Sequence, residues 1–92
     1  MEYNGYNINV GTVLVCGREE NSYKQFFYVF SIDEESKTFL SSGIDTNGGL
    51  YRTSKTWAFD RIAHGKEYQL FHNTLRKYNC VVDTENQVIR KE

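Results

Sequence analysis

At 92 residues, 39% of them hydrophobic and 15% aromatic, with 11 Lys and Arg against 12 Asp and Glu, the chain has room for one domain, residues 1–92, and a net charge of only -1. The even charge balance excludes a basic nucleic-acid arm and an acidic mimic of DNA, and the apolar content excludes disorder. A folded chain of this size exposes about 5,500 Å² of the roughly 15,700 Å² its unfolded form shows, so a core can form without metal or disulfide staples.

The first ten residues hold Asn4, Gly5, Asn7 and Asn9 and no basic residue, which is unlike a signal peptide. They read as a flexible arm or an edge strand. The apolar runs at 12–16 and 26–30 fall far short of the roughly 18 residues a membrane span needs. Cys16 and Cys80 share no metal-ligand or redox spacing and read as two buried free thiols in a reducing cytoplasm.

In chain order, residues 12–16 are rich in β-branched side chains, framed by Gly11 and Gly17, and predict a buried strand. Residues 25–32 place Phe26, Tyr28, Phe30 and Ile32 on one face and Phe27 and Val29 on the other, so they predict the central strand. A loop at 33–37 and a returning strand at 38–44, anchored by Phe39, follow. The stretch Asp45-Thr46-Asn47-Gly48-Gly49 is the strongest turn signal in the chain, with a short strand at 50–53 after it. Ser54 or Thr56 could cap a short helix near 56–63, ended by His64-Gly65. Over 66–78 the pattern is ambiguous. Tyr68, Phe71, Leu75 and Tyr78 fit one face of a helix, but a strand at 67–70 would extend the C-terminal hairpin formed by 78–82 and 87–90, and the strand is the reading adopted. Together these elements predict a small, mainly antiparallel, partly open barrel with one short helix, and α+β as the variant. The layout of 65–70, a polar loop and the hairpin from 80 resembles SH3-like proteins over about a third of the chain.

His64, His72, Cys16 and Cys80 are the soft ligands, without a zinc spacing, so neither a metal nor any other cofactor is expected. Glu19-Glu20 and Glu34-Glu35 read as solvated turn residues, and no glycine set matches a nucleotide fingerprint. With no catalytic constellation in so short a chain, a non-enzymatic protein is expected. The suggestive segment is 50–61, where aromatics alternate with Arg52, Lys55 and Arg61. Tyr, Trp and Arg are enriched at binding hot spots. Trp57 and Phe59 read as core, which leaves Tyr51 and Arg52 as surface candidates. With seven tyrosines and six phenylalanines, several rings must lie outside the core, and Tyr3, Tyr6 and Tyr23 are the obvious ones. The candidate partner-binding set is therefore Tyr51, Arg52, Lys55, Arg61 and Tyr23.

The reading this supports is a small β-rich binding module. Two alanines and eight asparagines give it the composition of accessory proteins of AT-rich phages and bacteria, whose expected task is to bind a host protein and inhibit or redirect it. A barrel that binds RNA or single-stranded DNA on the same aromatic and basic strip is the second reading. An oligomer sequestering a small ligand is the third, and a homodimer would cover an exposed sheet edge.

Overall fold

The structure, a computed structural model, describes residues 1–56 and 58–92. It begins with two short strands, β1 (Glu2–Tyr3) and β2 (Tyr6–Asn7). Then come β3 (Val13–Cys16), β4 (Gln25–Asp33), β5 (Thr38–Asp45), β6 (Leu50–Thr56) and β7 (Arg61–Ile62). Helix α1 (Lys66–Lys77) and the strands β8 (Cys80–Asp83) and β9 (Val88–Lys91) complete it. Strands β3 to β7 make one antiparallel sheet in the order β6-β5-β4-β3-β7, while β1-β2 and β8-β9 are separate hairpins. The architecture is mainly β and antiparallel. The sheet is open, with β6 and β7 as its edges, and does not close into a barrel.

The apolar side chains of β4 explain its central place, because each of its faces needs cover. On one face Val13, Val15, Phe26, Phe30 and Ile44 pack under Phe71 and Leu75 of α1 and under Cys80 and Ile89 of the C-terminal hairpin. On the other, Leu14, Val29 and Phe39 pack with Ile8, Met1, Tyr3, Tyr6 and Phe59. Residues 1–10 are thus a packed hairpin. Ile8 is fully buried, and its backbone N–H and C=O bond to the Met1 C=O and terminal ammonium. Tyr3 and Tyr6 are half-buried with their rings against Phe59.

Several sequence expectations are corrected. Ile32 lies with Phe27 and Val29, not with Phe26, because a bulge between Val29 and Ser31 switches the face of the strand beyond it. Cys16 is only half-buried, since it ends β3 at the sheet's rim. The helix near 56–63 is absent at the described residues. Asp60 and Ala63 donate backbone hydrogen bonds to Val15 and Val13, and Leu14 and Val15 pair with Ile62 and Arg61, so sheet pairing overrides local propensity there. Position 57, read as core, lies outside the described residues.

The helix is instead at Lys66–Lys77, where a strand at 67–70 was expected. Phe71, Thr74 and Leu75 are its buried side, Glu67 sits in its first turn and Arg76 and Lys77 in its last, each favourable to the helix dipole. Asn79, at φ 55, takes the left-handed conformation that stops it. With the strand gone, the SH3-like layout lacks its first element.

Candidate binding face

On the face of the sheet opposite α1 the N-terminal hairpin covers Leu14, Val29 and Phe39, and Phe27 packs at the margin of that cluster. Beyond that cover, cross-strand pairing lines up Cys16 with Gln25, and Phe27 with Gly43 and then Tyr51. Gly43 makes the row possible. A Cβ there would lie 2.6 Å from both the Phe27 ring and the Phe26 carbonyl oxygen, and the latter is backbone that cannot swing aside. Without a Cβ, the Phe27 and Tyr51 rings approach to 5.5 Å between centroids. Gly43→Ala should therefore cost about 2 kcal/mol by overpacking, read in a denaturant titration; a loss under about 0.5 kcal/mol would show that the rings shift freely.

Tyr51 and a second ring, Tyr23, are held by one carboxylate. Asp45 ends β5 and is 6% exposed. Its Oδ1 accepts the backbone N–H groups of Asn47 and Gly49, both at 2.9 Å, which builds the turn between β5 and β6. Its Oδ2 accepts the Tyr51 hydroxyl at 2.8 Å and the Tyr23 hydroxyl at 3.2 Å. Gln25 Nε2 donates to Tyr51 Oη at 2.9 Å. The Tyr23 and Tyr51 hydroxyls also lie 3.2 Å apart, and either can donate to the other. Tyr23 is brought here by Lys24, whose backbone N–H and C=O bond to Thr46 and whose buried ammonium donates to the Glu19 and Asn21 carbonyls.

Burial alone would raise the Asp45 carboxyl. The hydrogen bonds from Gly49, Tyr51, Asn47 and Tyr23 outweigh it and hold the group below the ordinary carboxylate value. Tyr51 is pushed up to about 12, first by its bond with Tyr23 and then by burial and Asp45, against the opposing effect of Gln25. At neutral pH Tyr51 is thus a neutral phenol beside one ionised carboxylate. Burial, followed by the charge of Asp60, also pushes the Cys16 thiol up, so it is protonated and weakly nucleophilic.

Of the five residues singled out in the sequence, Tyr23 and Tyr51 are in direct contact. Arg52 and Lys55 are exposed further along β6. Lys55 lines a shallow groove of about 330 Å³ with Cys16, Gln25, Phe27, Ser54, Thr56 and Ala58. Arg61 is elsewhere. Its guanidinium grips Glu67 through two N–H groups and donates to the Gly17 carbonyl at 2.6 Å, so it staples β7 to α1 and to the end of β3. Asp45, Gln25 and Phe27 belong to the face but were not singled out. Asp45 gave a signal, an aspartate followed by Asn47 and Gly49, which reports a side-chain-capped turn but not its distant tyrosines.

Among the described residues no cluster of three or more His, Cys, Asp or Glu side chains could hold a metal ion. No helix there is long and apolar enough to cross a membrane. No protein-family model, curated protein or solved structure matches the chain.

Proposed function

We propose that the chain is a non-enzymatic binding module that takes hold of a protein partner through Tyr23, Phe27, Tyr51, Arg52 and Lys55, and so inhibits or redirects it. The observation that carries this reading is the Tyr23 and Tyr51 rings, fixed by Asp45 and backed by Phe27, beside two exposed cations, Arg52 and Lys55, on the edge strand that also carries Tyr51. Aromatic side chains already held in place lose little entropy on binding, and aromatic and arginine side chains dominate hot spots. What favours binding over chemistry is the state of the polar groups: the carboxylate is saturated with donors, the Tyr51 phenol is neutral and the Cys16 thiol is protonated.

The test is affinity capture from a bacterial lysate on immobilised wild type and on an Arg52→Ala, Lys55→Ala double variant, at low and high salt. Both side chains are exposed, so the variant should keep the fold. A discrete protein held by the wild type at both salts and depleted at least fivefold on the variant is the expected result. Equal capture by both would overturn the assignment of the face. Nucleic acid held at low salt and shed at high salt would replace the partner class, because phosphate contacts release counterions and protein interfaces built on ring burial do not.

A further inference from the structure

Two Asn-Gly pairs occur in the chain, Asn4-Gly5 and Asn47-Gly48. Such a pair is prone to spontaneous loss of the asparagine amide, because glycine leaves the nitrogen that must attack it free of any flanking side chain. Both asparagines are exposed, but the structure holds them differently. Asn4-Gly5 is the two-residue reversal between β1 and β2, at φ 50 and 83. The Gly5 nitrogen has no hydrogen-bond partner among the described residues, and a Cβ on Gly5 would meet nothing within 4 Å.

Asn47-Gly48 lies inside a closed turn. The Gly48 N–H donates to the Asp45 carbonyl and the Asp45 N–H to the Gly49 carbonyl, both at 2.9 Å. The Asp45 carboxylate adds the N–H groups of Asn47 and Gly49. Tyr78 presses on the turn from outside: a Cβ on Gly48 would lie 2.7 Å from its ring, and its hydroxyl donates to the Thr46 carbonyl at 3.3 Å. The Asn47 residue nevertheless lines an open groove of about 320 Å³ with Ser22, Tyr23 and Thr46. Water can reach its amide, while the nitrogen that must attack that amide is tied down.

We propose that Asn47 is a site of deamidation whose rate is set by Asp45, and whose isoaspartate product releases Tyr23 and Tyr51. Hydroxide takes the Gly48 N–H proton, the nitrogen bonds to Asn47 Cγ, and the Cγ–Nδ2 bond breaks, Nδ2 leaving as ammonia with a proton from water. Water then opens the resulting succinimide, so the whole conversion consumes water and returns ammonia. Opening at Cγ gives aspartate. Opening at the main-chain carbonyl gives isoaspartate, whose backbone runs through Cβ and Cγ and is longer by a methylene. Ring closure is blocked in the turn as it stands. Bringing the Gly48 nitrogen onto Cγ needs rotation about the Asn47 Cα–C bond, which pulls the Gly48 N–H off the Asp45 carbonyl. The turn must open locally, and each bond to Asp45 makes that opening rarer. In the product the longer backbone separates the Asn47 and Gly49 N–H groups that Oδ1 accepts together, and a new carboxylate stands beside Asp45. The group that orients Tyr23 and Tyr51 is then no longer fixed by its own turn. The modification does not depend on the binding role of those rings.

The experiment incubates the full chain at mildly alkaline pH and follows both asparagines by peptide mapping and mass spectrometry, with isoaspartate separated from aspartate by chromatography. Asn4 is the clock within the same molecule. In the wild type Asn47 should react at least about fivefold more slowly than Asn4, and Asp45→Ala should speed Asn47 at least about fivefold while leaving Asn4 unchanged. Val13→Ala, a core truncation on the α1 side of the sheet, should speed Asn47 less than about twofold, which separates local opening from a general loss of stability. Equal rates at Asn4 and Asn47 in the wild type, an Asn47 rate that Asp45→Ala leaves alone, or an equal rise in Val13→Ala would each overturn the lock. The product is read by NMR and hydrogen exchange on the aged chain. Its Gly49 amide should lose protection at least about fivefold and its Tyr51 ring signals should move, while Asn47→Asp, which brings the charge without the methylene, should keep both. An aged chain with Gly49 protected and Tyr51 unmoved would overturn the release of the rings, and an equal change in Asn47→Asp would overturn the role of the longer backbone.

Discussion

Truncation of Phe71 to alanine should lower stability by about 4 kcal/mol, the largest effect expected of any single substitution discussed. Phe71 is fully buried, its ring lies 5.7 Å from that of Phe26, and α1 has only Thr74 and Leu75 as further buried side chains. A helix of 12 residues is marginal on its own, so most of its stability must come from this docking. Small domains have roughly 5–15 kcal/mol in total, and the loss should lower the thermal midpoint by about 20 °C. Thermal unfolding followed by far-ultraviolet circular dichroism measures it. A drop of less than about 5 °C would mean that the helix is held by something other than this ring.

Replacement of Asp45 by alanine should cost about 3 kcal/mol, because it strips two backbone N–H groups and two phenols of a charged acceptor at once. Tyr23→Phe, which removes two long contacts at an exposed residue, should cost under about 1 kcal/mol, and the contrast separates the turn from its outer ring. The pH dependence follows. Asp45 is held below its ordinary value, near about 3.9 in an unfolded chain, so its contribution is complete above that value and is lost as pH falls through the lower folded one. Asp83, held down chiefly by Arg90, and Glu67, held down by Arg61, act in the same direction. Tyr51 is the mirror case: its raised value gives stability that is complete below pH about 10 and lost as pH rises toward about 12. Chemical denaturation between pH 6 and 2 should show the wild type weakening below pH about 4, with a shallower decline in Asp45→Asn. Parallel slopes would remove Asp45 from this account.

Much of the sheet was legible because its turns are chemically marked. The 33–37 and 45–49 reversals are written in Asp, Asn and Gly, and in the structure Asp33 and Asp45 both cap their own turns through side-chain hydrogen bonds. The central strand was legible because both its faces are apolar. The helix was not, for two reasons. A strand at 67–70 is attractive because it would extend the C-terminal hairpin, and Asn79 falls inside the segment expected as that hairpin's first strand, whereas its left-handed backbone is the helix's stop signal. The error at 56–63 has a different origin, since only pairing with β3, far back in the sequence, decides that segment. The same limit applies to the candidate face. Tyr51 and Tyr23 could be chosen by composition, but their contact through Asp45 is tertiary.

The way the two faces of the sheet are covered has a consequence for synthesis. Its N-terminal lid is made first, while the apolar side that carries Phe26, Phe30 and Ile44 has no cover until α1 and the last hairpin are translated. A nascent chain that has completed β6 therefore presents a bare aromatic surface beside unpaired strand edges, the condition in which partly made proteins aggregate. The β4-β5-β6 meander is local and can form early. The sheet's last strand and the helix must then close on it together, and the Arg61 to Glu67 pair, which joins them, ties those two late events into one.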